Sequence, residues 1–176
     1  MTKKQLFVSR LATELVKLNV FSQTEADSLV SEFKGRAKGR LDEILLDDGI
    51  IDREKLLKAF QGVYGVNPFD VRGHFFNHQL LLLFPKDFLI NNAVIPLDID
   101  DDMITVVMSN PEDEEVIEAF GNFVAYTVTV FVGVQRDIVD AIEQYYDEDV
   151  VTSETYEQTE DVFEDGQEDS EIIDLE

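Results

Sequence analysis

The residues that most clearly suggest a binding function, by their type and spacing, are four cations clustered around two glycines. Lys34, Arg36, Lys38 and Arg40 lie in the run Lys-Gly-Arg-Ala-Lys-Gly-Arg, just before a predicted helix. A helix N-terminus attracts anions, and glycines let backbone amides approach them closely. The segment therefore predicts an anion-binding site. The alternative is a solvated loop whose charges balance acidic neighbours.

A second candidate chemistry is metal binding. His74 and His78 are four residues apart and would share one face of a helix, with Asp70 one turn earlier. The alternative is that both histidines pack on a linker. Asp100–Asp102 offer oxygen ligands, but three consecutive acids without further ligand spacing are typical of a solvated hairpin tip. We therefore predict no metal site.

The signatures of several enzyme classes are missing from the sequence. There is no phosphate-binding Gly-x-x-x-x-Gly-Lys-[Ser/Thr] loop, no Gly-x-Ser-x-Gly, no His-Glu-x-x-His and no dinucleotide fingerprint. Cysteine is also absent, which excludes disulfides, thiol nucleophiles and zinc sites of the cysteine type. We predict a chain that is not an enzyme, with no catalytic residues and no cofactor.

The net charge limits the classes of partner. Lys and Arg total 14 against 38 Asp and Glu, which gives a formal charge of -24 over 176 residues. A protein of this charge repels nucleic acid and anionic lipid. The N-terminus has neither a long apolar run nor a cleavage site. We expect a cytoplasmic protein with no nucleic-acid partner and no direct membrane insertion.

The acidic residues are concentrated toward the C-terminus. Residues 1–65 carry 11 basic and 10 acidic residues, residues 66–146 carry 3 and 14, and residues 147–176 carry none and 14. The last segment has too little apolar surface to offset the entropy of ordering it. We predict a disordered acidic tail over 147–176, either inert or acting as a docking peptide for a basic partner.

An internal repeat with an offset of 30 residues organises the first 65 residues. It superimposes apolar positions and also the residues that punctuate helices: Arg10-Leu11 on Arg40-Leu41, Leu15 on Leu45, Asn19 on Gly49, and Ser22 on Asp52. Asn and Gly tolerate the backbone that follows a helix end, and Ser and Asp cap helix starts. The repeat predicts two helical hairpins, with helices over 4–18, 23–34, 40–48 and 53–64.

Residues 66–146 have a mixed pattern. Apolar periodicity and turn residues predict short helices over 77–84 and 85–90, strands over 93–99, 103–108 and 126–132, a helix opened by Asn110–Asp113 with Pro111 at its first position, and a closing helix over 135–146. The fold class is therefore α+β, with a duplicated helical-hairpin unit followed by a small α/β sandwich around a short three-stranded sheet.

Several ordered blocks of the chain resemble a known family, the N-terminal MshEN-like domain of type II secretion and type IV pilus assembly ATPases. The blocks are Arg40–Phe60, Tyr64–Asp70, Ile95–Leu97, Val107–Asp113 and Ile138–Tyr146, within a resemblance over residues 5–147. In that family the domain precedes an ATPase and couples it to partner proteins at the inner membrane. The resemblance implies a non-catalytic interaction or regulatory module, here without the motor, that docks on a component of a secretion, pilus or motility machine.

The resemblance also implies an alternative function, because some family members bind cyclic di-GMP through a duplicated motif that begins Arg-Leu-Gly and ends in Gln. Arg10-Leu11 and Arg40-Leu41 match the opening of the motif, and Lys34, Arg36 and Lys38 would add positive charge. The glycine positions are Ala12 and Asp42, and the glutamine positions are Phe33 and Val63. A carboxylate at Asp42 would repel a phosphate at short range, so a cyclic di-GMP receptor is the second expectation.

Overall fold

The computed structural model describes residues 2–34 and 40–160, and it begins with four helices in two hairpins. These helices are α1 (Lys3–Lys17), α2 (Gln23–Lys34), α3 (Leu41–Asp47) and α4 (Arg53–Tyr64). Each lies within one residue of the range that the repeat predicts. We call α1–α4 the helical unit.

The turns of the two hairpins have matching hydrogen bonds, which confirms the repeat. The Val20 N–H donates to the Leu15 carbonyl at 2.9 Å, and 30 residues later the Ile50 N–H donates to the Leu45 carbonyl at the same distance. The turn residues Asn19 and Gly49 have left-handed backbones with φ of 56° and 65°. Both residue types adopt this conformation more easily than others do.

The helix starts are capped as the sequence predicts. The Ser22 hydroxyl accepts a hydrogen bond from the Glu25 N–H, and the Glu25 carboxylate accepts one from the Ser22 N–H in return. The Asp52 carboxylate accepts from the Lys55 N–H at 2.8 Å. These bonds satisfy N–H groups that have no partner inside the helix, and they fix where α2 and α4 begin.

The rest of the described chain forms a three-stranded sheet with four helices, which we call the sheet unit. Its elements are α5 (His78–Leu81), α6 (Lys86–Asn92), β1 (Val94–Asp100), β2 (Met103–Met108), α7 (Glu114–Val124), β3 (Thr127–Val132) and α8 (Gln135–Glu160). The strand order is β1-β2-β3, with β1 antiparallel and β3 parallel to β2. The α+β class and the three-stranded sheet are confirmed.

Two predictions about helix ends are wrong. Helix α7 begins at Glu114 with Asp113 as its cap, so Pro111 lies in the preceding turn and not at the first helical position. The Asn110 side chain accepts a hydrogen bond from the Glu112 N–H and stabilises that turn. Helix α8 continues to Glu160, so residues 147–160 are helical where a disordered tail was predicted. Residues 161–176 lie outside the described part of the chain.

Each unit has its own hydrophobic core. The core of the helical unit includes Leu11, Leu45 and Phe60, and it also takes in Val132 and Val134 from the end of β3 and the following loop. The core of the sheet unit packs helices against the strands, with the rings of Phe84 and Phe120 stacked at 4.1 Å. Because the end of β3 contributes to the first core, the two units pack directly against each other.

Ion pairs at the start of α8 add to this contact. Arg53 of α4 donates two hydrogen bonds, at 2.7 and 2.8 Å, to the buried carboxylate of Asp137. The bond to Asp137 is the main reason that the pKa of Arg53 is raised. Arg136 pairs with Asp47 of α3 at 2.8 Å. Charged groups of the helical unit therefore hold the first turn of α8 in place.

We expect the substitution Asp137→Asn to destabilise the protein by about 3 kcal/mol, because it leaves the Arg53 guanidinium without its carboxylate partner at a largely buried position. The matched control is Asp140→Asn, which changes an exposed carboxylate three residues along the same helix and should shift stability by less than about 0.5 kcal/mol. Urea unfolding followed by circular dichroism gives both values. Equal stability of the two variants would contradict the inference that the Arg53–Asp137 pair stabilises the contact between the two units.

Candidate functional site

The two arginines of the repeat face one groove between the helical unit and the turn before α7. The groove has a volume of about 970 Å³. Its lining comes from α1, the start of α3 and the residue before it, the end of α4, the turn before α7, the first turn of α7 and the start of α8. The lining residues are Lys3, Lys4, Leu6, Phe7, Val8, Arg10, Arg40, Leu41, Glu43, Tyr64, Asn110, Glu112, Asp113, Glu114, Glu115 and Gln135. The sequence repeat thus places the arginines of both Arg-Leu motifs at one site.

Arg10 is bound by groups from two different parts of the chain. Its guanidinium pairs with Glu112 at 2.7 Å and also donates a hydrogen bond to the Val63 carbonyl. It lies 5.8 Å from the centre of the Tyr64 ring, within the range of a cation–π contact. Glu112 therefore already occupies the position beside Arg10 that an anionic ligand would take.

Arg40 directly precedes α3 and is paired with a residue in the first turn of that helix. It donates two hydrogen bonds to the carboxylate of Asp42, at 3.0 and 3.2 Å, and a further one to the Gln135 side chain. It also lies 5.3 Å from the centre of the Phe7 ring. Asp42 is fully buried, so its charge requires this partner. The second arginine of the repeat is therefore neutralised as well.

The groove has one basic and one acidic wall. Lys3, Lys4 and the two arginines come from the helical unit, and Glu112–Glu115 come from the turn before α7 and its first helical turn. Glu43 of α3 adds one carboxylate on the side of the helical unit, where the cations outnumber it by four to one. The lining thus contains four cations and five carboxylates, and the site differs from the purely basic pocket that a phosphate ligand favours.

Tyr64 contributes an aromatic surface to the groove. Its ring stacks on Phe7 at 6.2 Å and packs edge-on against Phe60 at 6.1 Å. Burial raises the pKa of its hydroxyl to about 12, while the nearby Arg40 acts in the opposite direction. The phenol is therefore neutral at physiological pH and is unsuited to act as a base.

Comparison with known proteins identifies the family. The MshEN domain matches residues 62–152, just over half of the 176 residues. The chain belongs to the MshEN domain family. The type IV pilus assembly ATPase PilB of Myxococcus xanthus (strain DK1622) is 24% identical over 139 residues, which cover 79% of this chain and 24% of that protein. This MshEN protein therefore spans about a quarter of the length of that relative.

Solved structures support the same fold. The structure of MshE with cdg has a TM-score of 0.62 at 20% identity, with 77% of this chain and 98% of that chain covered. The N-terminal domain of XpsE has a TM-score of 0.51 at 19% identity, with 76% and 92% covered. The predicted resemblance to N-terminal domains of secretion and pilus ATPases is confirmed.

The other residues predicted for the site have different positions in this MshEN fold. Leu11 is fully buried in the helical core, and Leu41 is buried at the edge of the groove. Lys34 is exposed and lines a separate small cavity between α1 and α2. Arg36 and Lys38 lie outside the described residues. At the motif positions for glycine and glutamine, Ala12, Asp42, Phe33 and Val63 are all buried.

Sequence reasoning missed the residues from the sheet unit that complete the groove. Glu112 and Gln135 each bind one of the two arginines, yet they lie 102 and 95 residues away in sequence. The four consecutive acids of Glu112–Glu115 are visible in the sequence, near the predicted start of a helix. The charge of this run is opposite to that of the basic residues in the repeat, and this was the signal in the sequence that the two segments could pair.

The histidines do not form a metal site with Asp70. His74 packs edge-on against the rings of Phe69 and Phe76, at 5.2 and 4.8 Å, and Asp70 pairs with Arg72 at 2.6 Å. Among the described residues, no group of three or more His, Asp or Glu side chains could hold a metal ion. Over the same residues, no helix is both long and apolar enough to cross a membrane.

The raised pKa of Tyr64 predicts a loss of stability in alkaline solution. In the unfolded chain this tyrosine ionises near pH 10, whereas in the folded protein it keeps its proton to about pH 12. The free energy of unfolding should therefore fall as the pH rises through this window. Urea unfolding at about pH 9 and about pH 11 measures the change. The variant Tyr64→Phe should show a smaller fall, and an equal fall in both proteins would contradict the prediction.

Proposed function

We propose that this protein is a non-catalytic interaction or regulatory module that docks on a protein component of a secretion, pilus or motility machine. Membership of the MshEN family and the likeness to PilB and to the N-terminal domain of XpsE support this proposal. We also propose that it acts in the cytoplasm and without an enzymatic activity or cofactor of its own.

The observation that carries the proposal is the internal pairing of both groove arginines. Glu112 balances Arg10, and Asp42 balances Arg40. A small anion would have to displace a carboxylate that is covalently part of the chain and therefore present at a high effective concentration. A protein surface does not need to do so, because it can contact the remaining exposed charges and apolar groups of the walls.

Exposed apolar side chains also favour protein docking. Phe75 is 93% exposed, Leu82 and Leu83 are each 55% exposed, and Phe123 is 48% exposed. Phe123 is 5.8 Å from Phe84, the residue that follows Leu83. Leu83 and Phe123 thus both adjoin Phe84, and neighbouring exposed apolar groups are typical of interaction sites.

The test is affinity capture with the immobilised full chain as bait, in a lysate of bacteria that assemble type IV pili or a type II secretion system. We expect components of these machines to be enriched, identified by mass spectrometry, and to bind again as purified proteins. An unrelated protein of similar negative charge is the matched control bait, because an acidic bait captures basic proteins non-specifically. The proposal is wrong if both baits retain the same proteins.

The second candidate is a cyclic di-GMP receptor. Arg10 and Arg40 line the same groove, although they lie in different copies of the repeat, and MshE has been solved with cdg. In this proposal the arginines bind the phosphates, Leu11 and Leu41 support the motif, and Lys34, Arg36 and Lys38 add positive charge. The carboxylates of Glu112 and Asp42 oppose it, because the ligand has to compete with them for the guanidinium groups.

Isothermal titration with cyclic di-GMP separates the two candidates. A receptor should give saturable heat with the full chain, weaker binding after Arg10→Ala and tighter binding after Glu112→Gln, which frees Arg10 from an exposed carboxylate. The matched control is Arg72→Ala, because this exposed arginine lies outside the groove. No detectable heat at high micromolar ligand, in the wild type and in Glu112→Gln, would remove the receptor candidate.

A further inference from the structure

We propose that the groove binds an amphipathic helix of the partner protein, with an apolar stripe flanked by acidic residues on one side and basic residues on the other. This inference rests on the proposed docking function and specifies the chemistry of the partner. It follows from three properties of the groove: an apolar floor, walls of opposite charge, and a lining without a strand edge.

The floor supplies apolar and aromatic contacts. Leu6 lines the groove and is 46% exposed, so its side chain is available for contact. Phe7 and Tyr64 lie next to it as a stacked pair. An apolar stripe on a partner would bury this surface, and such burial contributes about 25 cal/mol per Å² of apolar area.

The walls carry exposed charges that have no partner within the described chain. Lys3 and Lys4 extend from the first turn of α1, and Glu114 and Glu115 from the first turn of α7; all four are exposed. None of the four makes an ion pair or a side-chain hydrogen bond among the described residues. They differ in this from Arg10 and Glu112, which pair with each other across the groove. The unpaired charges can therefore bind complementary charges on a partner.

Opposite walls select for a ligand with charges of both signs. A uniformly acidic segment would pair with the lysines but would be repelled by Glu114 and Glu115. A uniformly basic segment would pair with these two glutamates but would be repelled by the lysines. Only a ligand with acidic groups on one flank and basic groups on the other satisfies both walls. The same argument disfavours a small dianion, which cannot use the acidic wall.

The lining favours a helix over an extended peptide. The groove residues lie in helices, in the turn over 110–113 and at the start of α8, and no residue of β1, β2 or β3 contributes. An extended peptide would find no sheet edge to satisfy its backbone N–H and C=O groups. A helix satisfies these groups internally, so it can bind through its side chains alone.

The test uses three designed helical peptides of roughly 18 residues, long enough to form a stable helix. All three share a leucine stripe at i, i+3, i+4 and i+7. The first has Glu on one flank and Lys on the other, the second has Glu on both, and the third has Lys on both. Fluorescence anisotropy with the full chain should show that the mixed peptide binds at least about tenfold more tightly than either uniform peptide.

Charge variants of α7 assign the binding to the groove. The double substitution Glu114→Gln with Glu115→Gln removes the unpaired acids of one wall, so the all-Glu peptide should gain affinity while the mixed peptide loses it. The matched control is Glu118→Gln, an exposed carboxylate on the same helix that does not line the groove. A variant that merely unfolded would weaken every peptide, so this opposite response is specific.

Three outcomes would overturn the inference: equal binding of all three peptides, tightest binding of a uniform peptide, or no saturable binding. The proposed docking function is tested separately. If the peptides fail while the full chain still captures machine components, and Glu114→Gln with Glu115→Gln does not reduce that capture, then docking uses another surface. If capture fails as well, the docking function itself is wrong.

Discussion

The geometry of the groove depends on one buried carboxylate, that of Asp42. A charge without access to water is strongly unfavourable unless it is paired and hydrogen-bonded. Asp42 is fully buried, and both of its oxygens accept hydrogen bonds from Arg40. Arg40 cannot leave the groove wall without leaving this charge unpaired. Since the same guanidinium also contacts Phe7 and Gln135, the pair fixes α3 relative to α1 and to the start of α8.

The same physical rule operates where the helical unit meets α8. Asp137 is almost fully buried and receives both of its strong hydrogen bonds from Arg53. In each case an arginine at the edge of the helical unit supplies the charge, and its position is fixed by the carboxylate. Burial of two carboxylates in a strongly acidic chain thus determines which of its few cations are structural. Lys3 and Lys4 of α1 have no carboxylate partner among the described residues and remain available at the surface.

Much of the fold could be predicted because its signals are local. Asn19, Gly49, Ser22 and Asp52 mark turns and caps through interactions within a few residues, so the helix boundaries of both hairpins followed from the repeat. The groove could not be predicted in the same way, because Arg10 and Glu112 are separated by 102 residues. Pro111 was misassigned since proline suits both a turn and a first helical position, and the hydrogen bond from the Glu112 N–H to Asn110 decides between them.

The end of α8 was misjudged for a different reason. The composition of a segment indicates whether it can form a hydrophobic core by itself. Residues 147–160 are too acidic to form one. They do not start a helix, however, but extend one whose first turns are already packed, and extending a helix is far easier than nucleating it. Compositional arguments of this kind hold best for segments that do not continue an existing element.

Arg10 and Arg40 occupy equivalent positions in the repeat, but their carboxylate partners differ in access to water. Glu112 is half exposed and can be rehydrated when Arg10 moves away, whereas Asp42 has no such access. The Arg10–Glu112 ion pair can therefore break and re-form within the folded protein. Breaking the Arg40–Asp42 pair requires the helical unit to open. The two copies of the same short motif thus hold one arginine that can change partners and one arginine whose position is fixed.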